Sequence, residues 1–340
     1  MKNRFFLVLL LTLIITSCQT NTSNTPQHIN GFALGTDYQL QFFADSVLDL
    51  QTEIDSVFEV VNQSMSTYME SSDISKWNAG DTTIKVDDLF KIVFLKSKEI
   101  FEKTEGYFDP TVGDIVNLYG LGPKDLGIPA DSAAVDSLMK YVGLEKVNIT
   151  DENIVEKKYV QTVLDFNGIA KGYAVDLLGE LLENHGVENY LAEIGGEIRT
   201  RGKNLQSQKT WRLGIDDPRI ETNRGELSGI VELKNKSLAT SGNYRKFKYD
   251  SLSGEKYVHI IDPKSGYTLR GSLLSVSVIA DDCATADAYA TAFMAMPLEK
   301  AKQIAQQQKD IQVYFIYDEK GEMKTFFTHG FEEAMVKKRF

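Results

Sequence analysis

Several features that define large protein classes are missing from this sequence. The four histidines lie far apart and show no zinc-ligand spacing. A formal net charge of −11 disfavours nucleic acid as a partner, because binding to phosphates needs a basic surface. The apolar run at residues 5–15 is shorter than the roughly 20 residues that a membrane-spanning helix needs. No internal repeat is present, and the hydrophobic content of 42% is that of a globular protein with an ordinary core.

The first residues have the pattern of a secretory signal peptide. Lys2 and Arg4 precede the apolar run, and small residues then lead directly into Cys18. This order resembles a bacterial lipoprotein signal, which implies removal of residues 1–17 and a lipid on Cys18. An ordinary signal peptide cleaved near Cys18 is the alternative. The lipoprotein interpretation predicts an anchored protein of the bacterial cell envelope, facing the periplasm or the outer side of the membrane.

The remainder of the chain divides into a tether and one folded domain. Residues 18–29 are mostly Thr, Asn, Gln, Ser and Pro, a composition that buries no core and predicts a flexible tether. Residues 30–335 form the predicted domain. With Cys18 lipidated, Cys283 has no partner for an intramolecular disulfide.

Hydrophobic periodicity predicts an α+β fold, since helices and strands mix without a regular βαβ repeat. Asp45 or Ser46 is expected to cap the first helix, and residues 107–129 are expected to form an ordered loop region. The predicted helices cover residues 47–63, 88–103, 131–141, about 169–186, 284–296 and 298–308. The predicted strands cover residues 30–43 around a Gly35-Thr36 turn, a pair within 145–166 whose second strand is 159–166, and then 190–194, 211–216, 228–234, 272–280, 312–317 and 323–327.

One candidate anion site lies where a predicted strand ends at Asp165 and a helix begins. Gly168 permits a close turn there, and the free N–H groups of a helix start suit an anion. Lys171 falls in the first helical turn, where a cation is unfavourable against the helix dipole. A phosphate held between Lys171 and the N–H groups would reverse that penalty. The alternative is that Lys171 simply points into water. The stretch is not a Walker A loop, which has a different glycine and lysine spacing.

A candidate metal half-site lies on a strongly apolar helix further along the chain. Asp287 and Thr291 are spaced i, i+4, so both oxygens share one face. A charged Asp on an apolar helix needs a partner, and magnesium takes hard oxygen ligands together with substrate phosphates. The alternative is that Asp287 caps the helix. Residues 239–245, which include Arg245, offer hydroxyl groups, glycine backbone and a cation suited to a nucleotide.

Taken in order, these stretches resemble the FAD:protein FMN transferase family, also called ApbE-like proteins. The resemblance runs from about Gly31 to about Thr325. Each motif alone is weak, but the full ordered set is specific. The matching segments are residues 35–36, 65–68, 72–78, 107–113, 117–122, 165–176, 193–199, 214–218, 240–242, 259–263 and 286–291.

The resemblance implies a single two-lobed catalytic domain of the ApbE-like, T-fold-related type. It implies FAD as donor and Mg²⁺ as cofactor. It further implies transfer of FMN to a Thr or Ser hydroxyl of a redox-complex subunit, with AMP leaving. Magnesium would bind the backbone oxygen of Gly168 and the side chains of Asp287 and Thr291. The residues that would contact FAD are Leu34, Tyr68, Tyr107, Phe108, Asp109, Asp165, Lys171 and Ile261.

Two positions depart from the family pattern. Some members carry a second acid just before the metal-binding Thr, and this chain has Ala290 there. The site is therefore expected to bind metal with fewer carboxylates. Tyr119 replaces a commoner Trp, which is a mild aromatic exchange. Asp282 begins a faint likeness to the acceptor motif of flavinylated proteins, but it sits at the expected metal helix, so transfer in trans is expected.

Three other functions are compatible with parts of the pattern. A magnesium-dependent FAD pyrophosphatase would use the same residues with water as acceptor. A flavin-binding lipoprotein that carries FAD without turnover would not need the Asp287 and Thr291 pair. A cell-surface adhesion module would not need the cofactor-like motifs.

His259 is the candidate for polarising the acceptor hydroxyl or protonating the leaving phosphate, because imidazole can exchange a proton near neutral pH. We predict that His259→Ala retains FAD binding, measured by quenching of flavin fluorescence, but loses transfer of flavin to protein. Turnover equal to that of the parent protein would remove His259 from the mechanism.

Overall fold

The computed structural model describes residues 24–218, 227–242, 247–249, 256–258, 260–269 and 271–338. The predicted signal peptide, the lipidation site Cys18, Arg245 and the candidate catalytic residue His259 lie outside the described residues. Within the described ranges, no helix combines the length and the apolar character that crossing a membrane requires.

The described residues form helices and antiparallel strands in mixed order, which confirms the predicted α+β class. The helices are α1 (Gln51–Met65), α2 (Asp73–Asn78), α3 (Asp88–Lys103), α4 (Gly113–Leu118), α5 (Ser132–Met139), α6 (Ala170–Asn184), α7 (Cys283–Met294), α8 (Leu298–Gln307) and α9 (His329–Ala334), with a 3₁₀ turn at Leu144–Lys146. The strands are β1 (Gln27–Ala33), β2 (Thr36–Phe43), β3 (Val147–Ile149), β4 (Val155–Lys157), β5 (Asn189–Ile194), β6 (Glu197–Arg201), β7 (Trp211–Asp216), β8 (Leu227–Leu233), β9 (Ser237–Gly242), β10 (Phe247–Tyr249), β11 (Lys256–Val258), β12 (Leu273–Ala280), β13 (Gln312–Glu319), β14 (Glu322–Phe327) and β15 (Met335–Lys338).

An eight-stranded sheet in the order β1-β2-β5-β6-β9-β12-β13-β14 forms the centre of the fold. Successive side chains of a strand point to opposite faces, and here both faces are buried. Phe42 packs in the main core with α1, α3, α6 and α7, while its neighbour Phe43 packs in a second core on the other face. In the same way, Phe315 faces the main core and Tyr314 the second.

The second core is closed by a smaller sheet in the order β15-β8-β7 together with α9. Phe331 of α9 is fully buried there and stacks on Tyr314, with ring centroids 5.5 Å apart. Such aromatic pairs add to the stabilisation that burial of apolar area provides. The large sheet therefore separates the main core from a second, smaller apolar core.

The predicted cap of the first helix is wrong. α1 begins at Gln51 after Leu50, with no side-chain cap. The Gln27 side chain donates to the carbonyl of Ser46 at 2.8 Å and accepts from the N–H of Leu48 at 3.0 Å. These bonds tie the backbone of residues 46–48 to the first residue of β1, and the helix begins only after Leu50.

The predicted strand at residues 159–166 is also wrong, although the short pair β3 and β4 is present in the same region. The side chain of Asn78 accepts from the N–H of Leu164 at 2.8 Å and donates to its carbonyl at 2.8 Å. This amide replaces the neighbouring strand that the apolar pattern suggested. The predicted loop at 107–129 contains α4, and the prediction missed the further helices α2 and α9 and the strands β6, β9, β10, β11 and β15.

Two tight turns meet at one end of the large sheet. Leu34 and Gly35 connect β1 to β2 with φ angles of 50° and 76°, and Gly195 and Gly196 connect β5 to β6 with 61° and 107°. These left-handed conformations suit two-residue hairpins and favour glycine. The N–H of Gly195 donates to the carbonyl of Asp37 at 3.0 Å, which joins the two turns. The turn that contains Leu34 is thereby held next to the turn that precedes β6.

Candidate functional site

The site is built on the contact between α6 and α7, which run antiparallel. Residues 168 and 291, 172 and 287, and 176 and 283 meet in register along the pair. Asp287 of α7 accepts from the N–H of Gly172, near the start of α6, at 3.0 Å. Asp176 of α6 accepts from the first two N–H groups of α7, those of Cys283 and Ala284, at 2.8 and 2.9 Å. Each helix therefore caps the other with a carboxylate from its own interior.

Gly172 is required for this arrangement. A Cβ at that position would lie 2.4 Å from the carbonyl oxygen of Cys283 and 2.8 Å from the Cβ of Asp287. Because both are parts of the facing helix, a larger residue would push α6 and α7 apart. The close approach brings the backbone N–H of Gly172 within reach of Asp287.

Asp287 does not cap its own helix. The N-cap of α7 is Asp282, whose side chain accepts from the N–H of Thr285 at 2.8 Å. Asp287 is in the second turn, 3% exposed, and burial raises its pKa to about 7 although Lys171 opposes the shift. A buried carboxylate of this kind gains from any additional cation.

Lys171 forms an ion pair with Glu197, the first residue of β6. Its Nζ lies 2.6 Å from Oε2 of Glu197, whose side chain is almost entirely buried. Burial opposes the charged form of Lys171, but Glu197 and then Asp287 outweigh it and raise the lysine pKa above its ordinary value. Lys171 therefore does not simply point into water. The carboxylates offset its unfavourable place in the first turn of α6.

Three oxygen groups converge next to this ion pair. The hydroxyl of Thr291 donates to the carbonyl of Gly168 at 3.3 Å, and Asp287 lies one helical turn before Thr291. A Cβ on Gly168 would lie 3.0 Å from the Thr291 side chain, so the absence of one keeps the space open. Carboxylate, hydroxyl and carbonyl oxygens are hard ligands, and their chemistry fits Mg²⁺. No group of three or more His, Cys, Asp or Glu that could hold a metal occurs in the described ranges.

The loops before α6 bring further predicted residues to the same place. Asn167 donates from its backbone to Asp165 at 2.8 Å and from its side chain to Thr67 at 3.3 Å. Tyr68 therefore lies near Asp165, and its pKa is raised by partial burial and by the charge of Asp165. Its side chain is nevertheless 67% exposed, which leaves the ring accessible.

The segment at Phe108 and Asp109 packs against the α6 entrance. The ring of Phe108 comes within 3.4 Å of the position that a Gly168 Cβ would take. Asp109 is buried, and one of its oxygens accepts from the N–H and the hydroxyl of Thr111 at 2.9 and 2.6 Å. The carbonyl of Pro110 accepts from the N–H of Asp165 at 2.7 Å, which joins this segment to the α6 loop.

Tyr107 and Ile261 are linked through the loop that follows Ile261. Nζ of Lys264 lies 5.6 Å from the ring centroid of Tyr107, within the range of a cation–π contact. Ile261 itself is buried in a small apolar cluster with Ile115 and Val142. Its described contacts therefore connect it to α4 and not to the α6–α7 crossing.

Glu197 and Asp176 lie within the matching segments 193–199 and 165–176, and the motifs predict no role for them, although both are part of the site. The sequence does contain a signal for Glu197, which follows two glycines and precedes the apolar Ile198. A carboxylate that is buried with such a strand needs a partner. Asp176 is held by Arg199 at 3.1 Å, and Arg199 also pairs with Glu183 at 2.9 Å. This network fixes the far side of the α6–α7 contact.

The comparisons agree with this geometry. Residues 34–315 match the sequence profile of the ApbE family. An FAD:protein FMN transferase from Haemophilus influenzae is 32% identical over 320 residues, 90% of each chain. One from Vibrio cholerae is 34% identical over 304 residues, 86% of this chain and 88% of the relative. The solved structure of flavin transferase ApbE from Vibrio cholerae has a TM-score of 0.81 at 32% identity and covers 91% of this chain and 99% of that one.

The fold, an antiparallel sheet covered by helices with one residue cluster at a helix crossing, is therefore that of the flavin transferases whose structures it matches. The chain belongs to the ApbE family. This finding confirms the resemblance drawn from the ordered motifs.

A pH-dependent contribution to stability is expected from Asp109. Burial raises its pKa to about 6, against the opposing hydrogen bonds from Thr111. Since the folded pKa lies above the unfolded one, the folded state binds the proton more tightly, and stability falls as pH rises from about 4 to about 6. The difference between a folded pKa of about 6 and an unfolded pKa of about 4 corresponds to roughly 3 kcal/mol. Asp109→Asn keeps the acceptor oxygen but cannot titrate, so we predict that it removes most of this loss.

The measurement is urea unfolding of the protein without FAD at about pH 4.5 and about pH 7, compared between the variant and the parent protein. Asp151→Asn is the control, because that side chain is exposed. An equal pH-dependent loss of stability in Asp109→Asn and in the parent protein would contradict the prediction.

Proposed function

We propose that the protein is an FAD:protein FMN transferase, which moves FMN from FAD to a Ser or Thr hydroxyl of an acceptor protein and releases AMP. The observation that carries the proposal is the α6–α7 crossing. It gathers the oxygens of Gly168, Asp287 and Thr291 beside Lys171 in a chain of the ApbE family. The relatives from Haemophilus influenzae and Vibrio cholerae bear this activity in their names.

We assign FAD to the part of this crossing where the loops before α6 meet it. The accessible ring of Tyr68 offers a stacking surface for an aromatic ring system, and Lys171 offers a cation for the pyrophosphate. The proposed contacts with FAD are the predicted ones: Leu34, Tyr68, Tyr107, Phe108, Asp109, Asp165, Lys171 and Ile261.

Magnesium would be held by the carbonyl of Gly168, the carboxylate of Asp287 and the hydroxyl of Thr291. When bound, it would neutralise charge on the phosphate oxygens during transfer. The hydrogen bond from Gly172 engages one oxygen of Asp287, Oδ2, and orients the carboxylate. The supporting argument is the hard-oxygen chemistry of the three groups and the space that Gly168 leaves between them.

The transfer exchanges one phosphorus–oxygen bond for another. The acceptor hydroxyl oxygen forms a bond to the phosphorus of the FMN half, and the bond from that phosphorus to the bridging oxygen breaks, so that AMP leaves with the bridging oxygen. The proton of the acceptor hydroxyl passes to His259 or to the leaving phosphate. Lys171 stabilises negative charge that develops on the pyrophosphate, and positioning supplies most of the remaining catalysis.

We further propose that the enzyme is a lipoprotein of the cell envelope, anchored through Cys18 and tethered by residues 18–29. Its acceptor is a protein outside this chain, such as a subunit of a membrane redox complex. The proposal rests on the signal pattern of the first residues. Metabolic labelling with a fatty-acid analogue is expected to mark the parent protein and not Cys18→Ser. Equal labelling of both would refute the anchor.

The function is tested by incubating the protein with FAD, Mg²⁺ and a candidate acceptor, followed by flavin fluorescence on a denaturing gel. We predict covalent flavin on the acceptor, abolished by EDTA and reduced at least about 100-fold in Asp287→Asn, because the neutral amide loses the charge that attracts the metal. The amide oxygen can still accept from Gly172, so the thermal midpoint should change little.

Asp281→Asn is the matched control, because Asp281 is an exposed carboxylate just before α7. Free FMN and AMP without labelled acceptor would identify a pyrophosphatase. FAD that stays intact at saturating Mg²⁺ would identify a flavin carrier. Activity indifferent to EDTA would remove the metal assignment.

A further inference from the structure

We infer that Glu197 is a positioning residue that holds Lys171 off Asp287 and so keeps the Asp287 carboxylate available to a divalent cation. The inference rests on the proposed magnesium-dependent function and concerns a residue outside the predicted metal and FAD sets. It predicts that Glu197 controls metal affinity without being a ligand of the metal.

Glu197 is fixed in place by the sheet. It opens β6, which pairs with β5 on one side and with β9 on the other. The Gly195–Gly196 turn before it is tied to β2 by the hydrogen bond to Asp37. The side chain is 4% exposed, and its Oε2 lies 2.6 Å from Nζ of Lys171. A carboxylate on such rigid backbone is a fixed anchor for a flexible lysine.

Asp287 is the alternative partner of the same lysine. Lys171 and Gly172 are consecutive in α6, and Gly172 already bonds to Asp287, so the lysine stem starts next to that carboxylate. Asp287 and Lys171 also interact electrostatically, each favouring the charged form of the other. Without Glu197, the ammonium group would find its nearest anion at Asp287. A lysine bound there would take the place of a metal cation.

The charges of the cluster lead to the same conclusion. Lys171 carries one positive charge, and Glu197 and Asp287 carry two negative charges when ionised. Asp176, the next carboxylate along α6, is paired with Arg199. The cluster thus has one unbalanced carboxylate, and a buried unbalanced charge is costly. A divalent cation relieves that cost. Neutralising Glu197 would leave Lys171 and Asp287 as a balanced pair with no need for a metal.

The test is binding of Mn²⁺, as a spectroscopic substitute for Mg²⁺, measured by loss of the free-ion electron paramagnetic resonance signal in the protein without FAD. We expect Glu197→Gln to weaken Mn²⁺ binding by about tenfold or more, equivalent to about 1.4 kcal/mol. We expect the double variant Glu197→Gln with Lys171→Met to recover affinity to within about threefold of the parent protein, because the competing ammonium group is gone.

Glu183→Gln is the matched control, since it removes another ion-paired carboxylate, on α6, that contacts Arg199 and Arg201 of β6. It is expected to bind Mn²⁺ as the parent protein does. A parent protein that does not bind Mn²⁺ would refute the metal assignment of the proposed function. Parent-like binding in Glu197→Gln, or a double variant as weak as Glu197→Gln alone, would overturn the inference itself.

Discussion

The reciprocal capping of α6 and α7 is the interaction on which the rest of the site depends. Asp287 bonds to the N–H of Gly172, and Asp176 bonds to the N–H groups of Cys283 and Ala284. Each cap of this kind is worth about 1 kcal/mol. Their larger consequence is geometric, because they set the register that brings residues 168 and 291 together.

The same interaction places charge in the interior of the protein. Burial raises the pKa of Asp176 to about 6 and that of Asp287 to about 7. Asp176 is compensated by Arg199 and by two N–H groups, so it serves structure. Asp287 and Glu197 share one cation, Lys171, so one negative charge is left unbalanced. This difference separates the structural carboxylate from the one suited to a cation, although both lie on the same pair of helices.

Local sequence patterns predicted the longer helices well, because the apolar spacing that identifies a helix lies within a few turns of the chain. The apolar spacing identified α3 with the observed bounds, and the helix predicted at 131–141 is present as α5. The errors at the start of α1 and at residues 159–166 have a common cause. In both, a side chain distant in sequence, Gln27 or Asn78, takes up backbone hydrogen bonds that a local pattern assigns to a helix or strand.

The candidate site likewise combines features that are local in sequence with contacts between residues that are distant in sequence. The i, i+4 spacing of Asp287 and Thr291 and the turn from Asp165 to Lys171 are local features, and they were readable because helix geometry places such residues on one face. The ordered motifs likewise sufficed to identify the family.

What those local features face depends on contacts between distant parts of the chain. Gly168 and Thr291 are separated by 123 positions in the chain, and their contact depends on the close approach that Gly172 permits. The partner of Lys171 comes from a strand that enters the site after a glycine turn. Ion pairing depends on distance in space, and spacing along the chain does not determine that distance. For this reason the family and the candidate ligands could be predicted from the sequence, whereas the sharing of Lys171 between Glu197 and Asp287 follows from the fold.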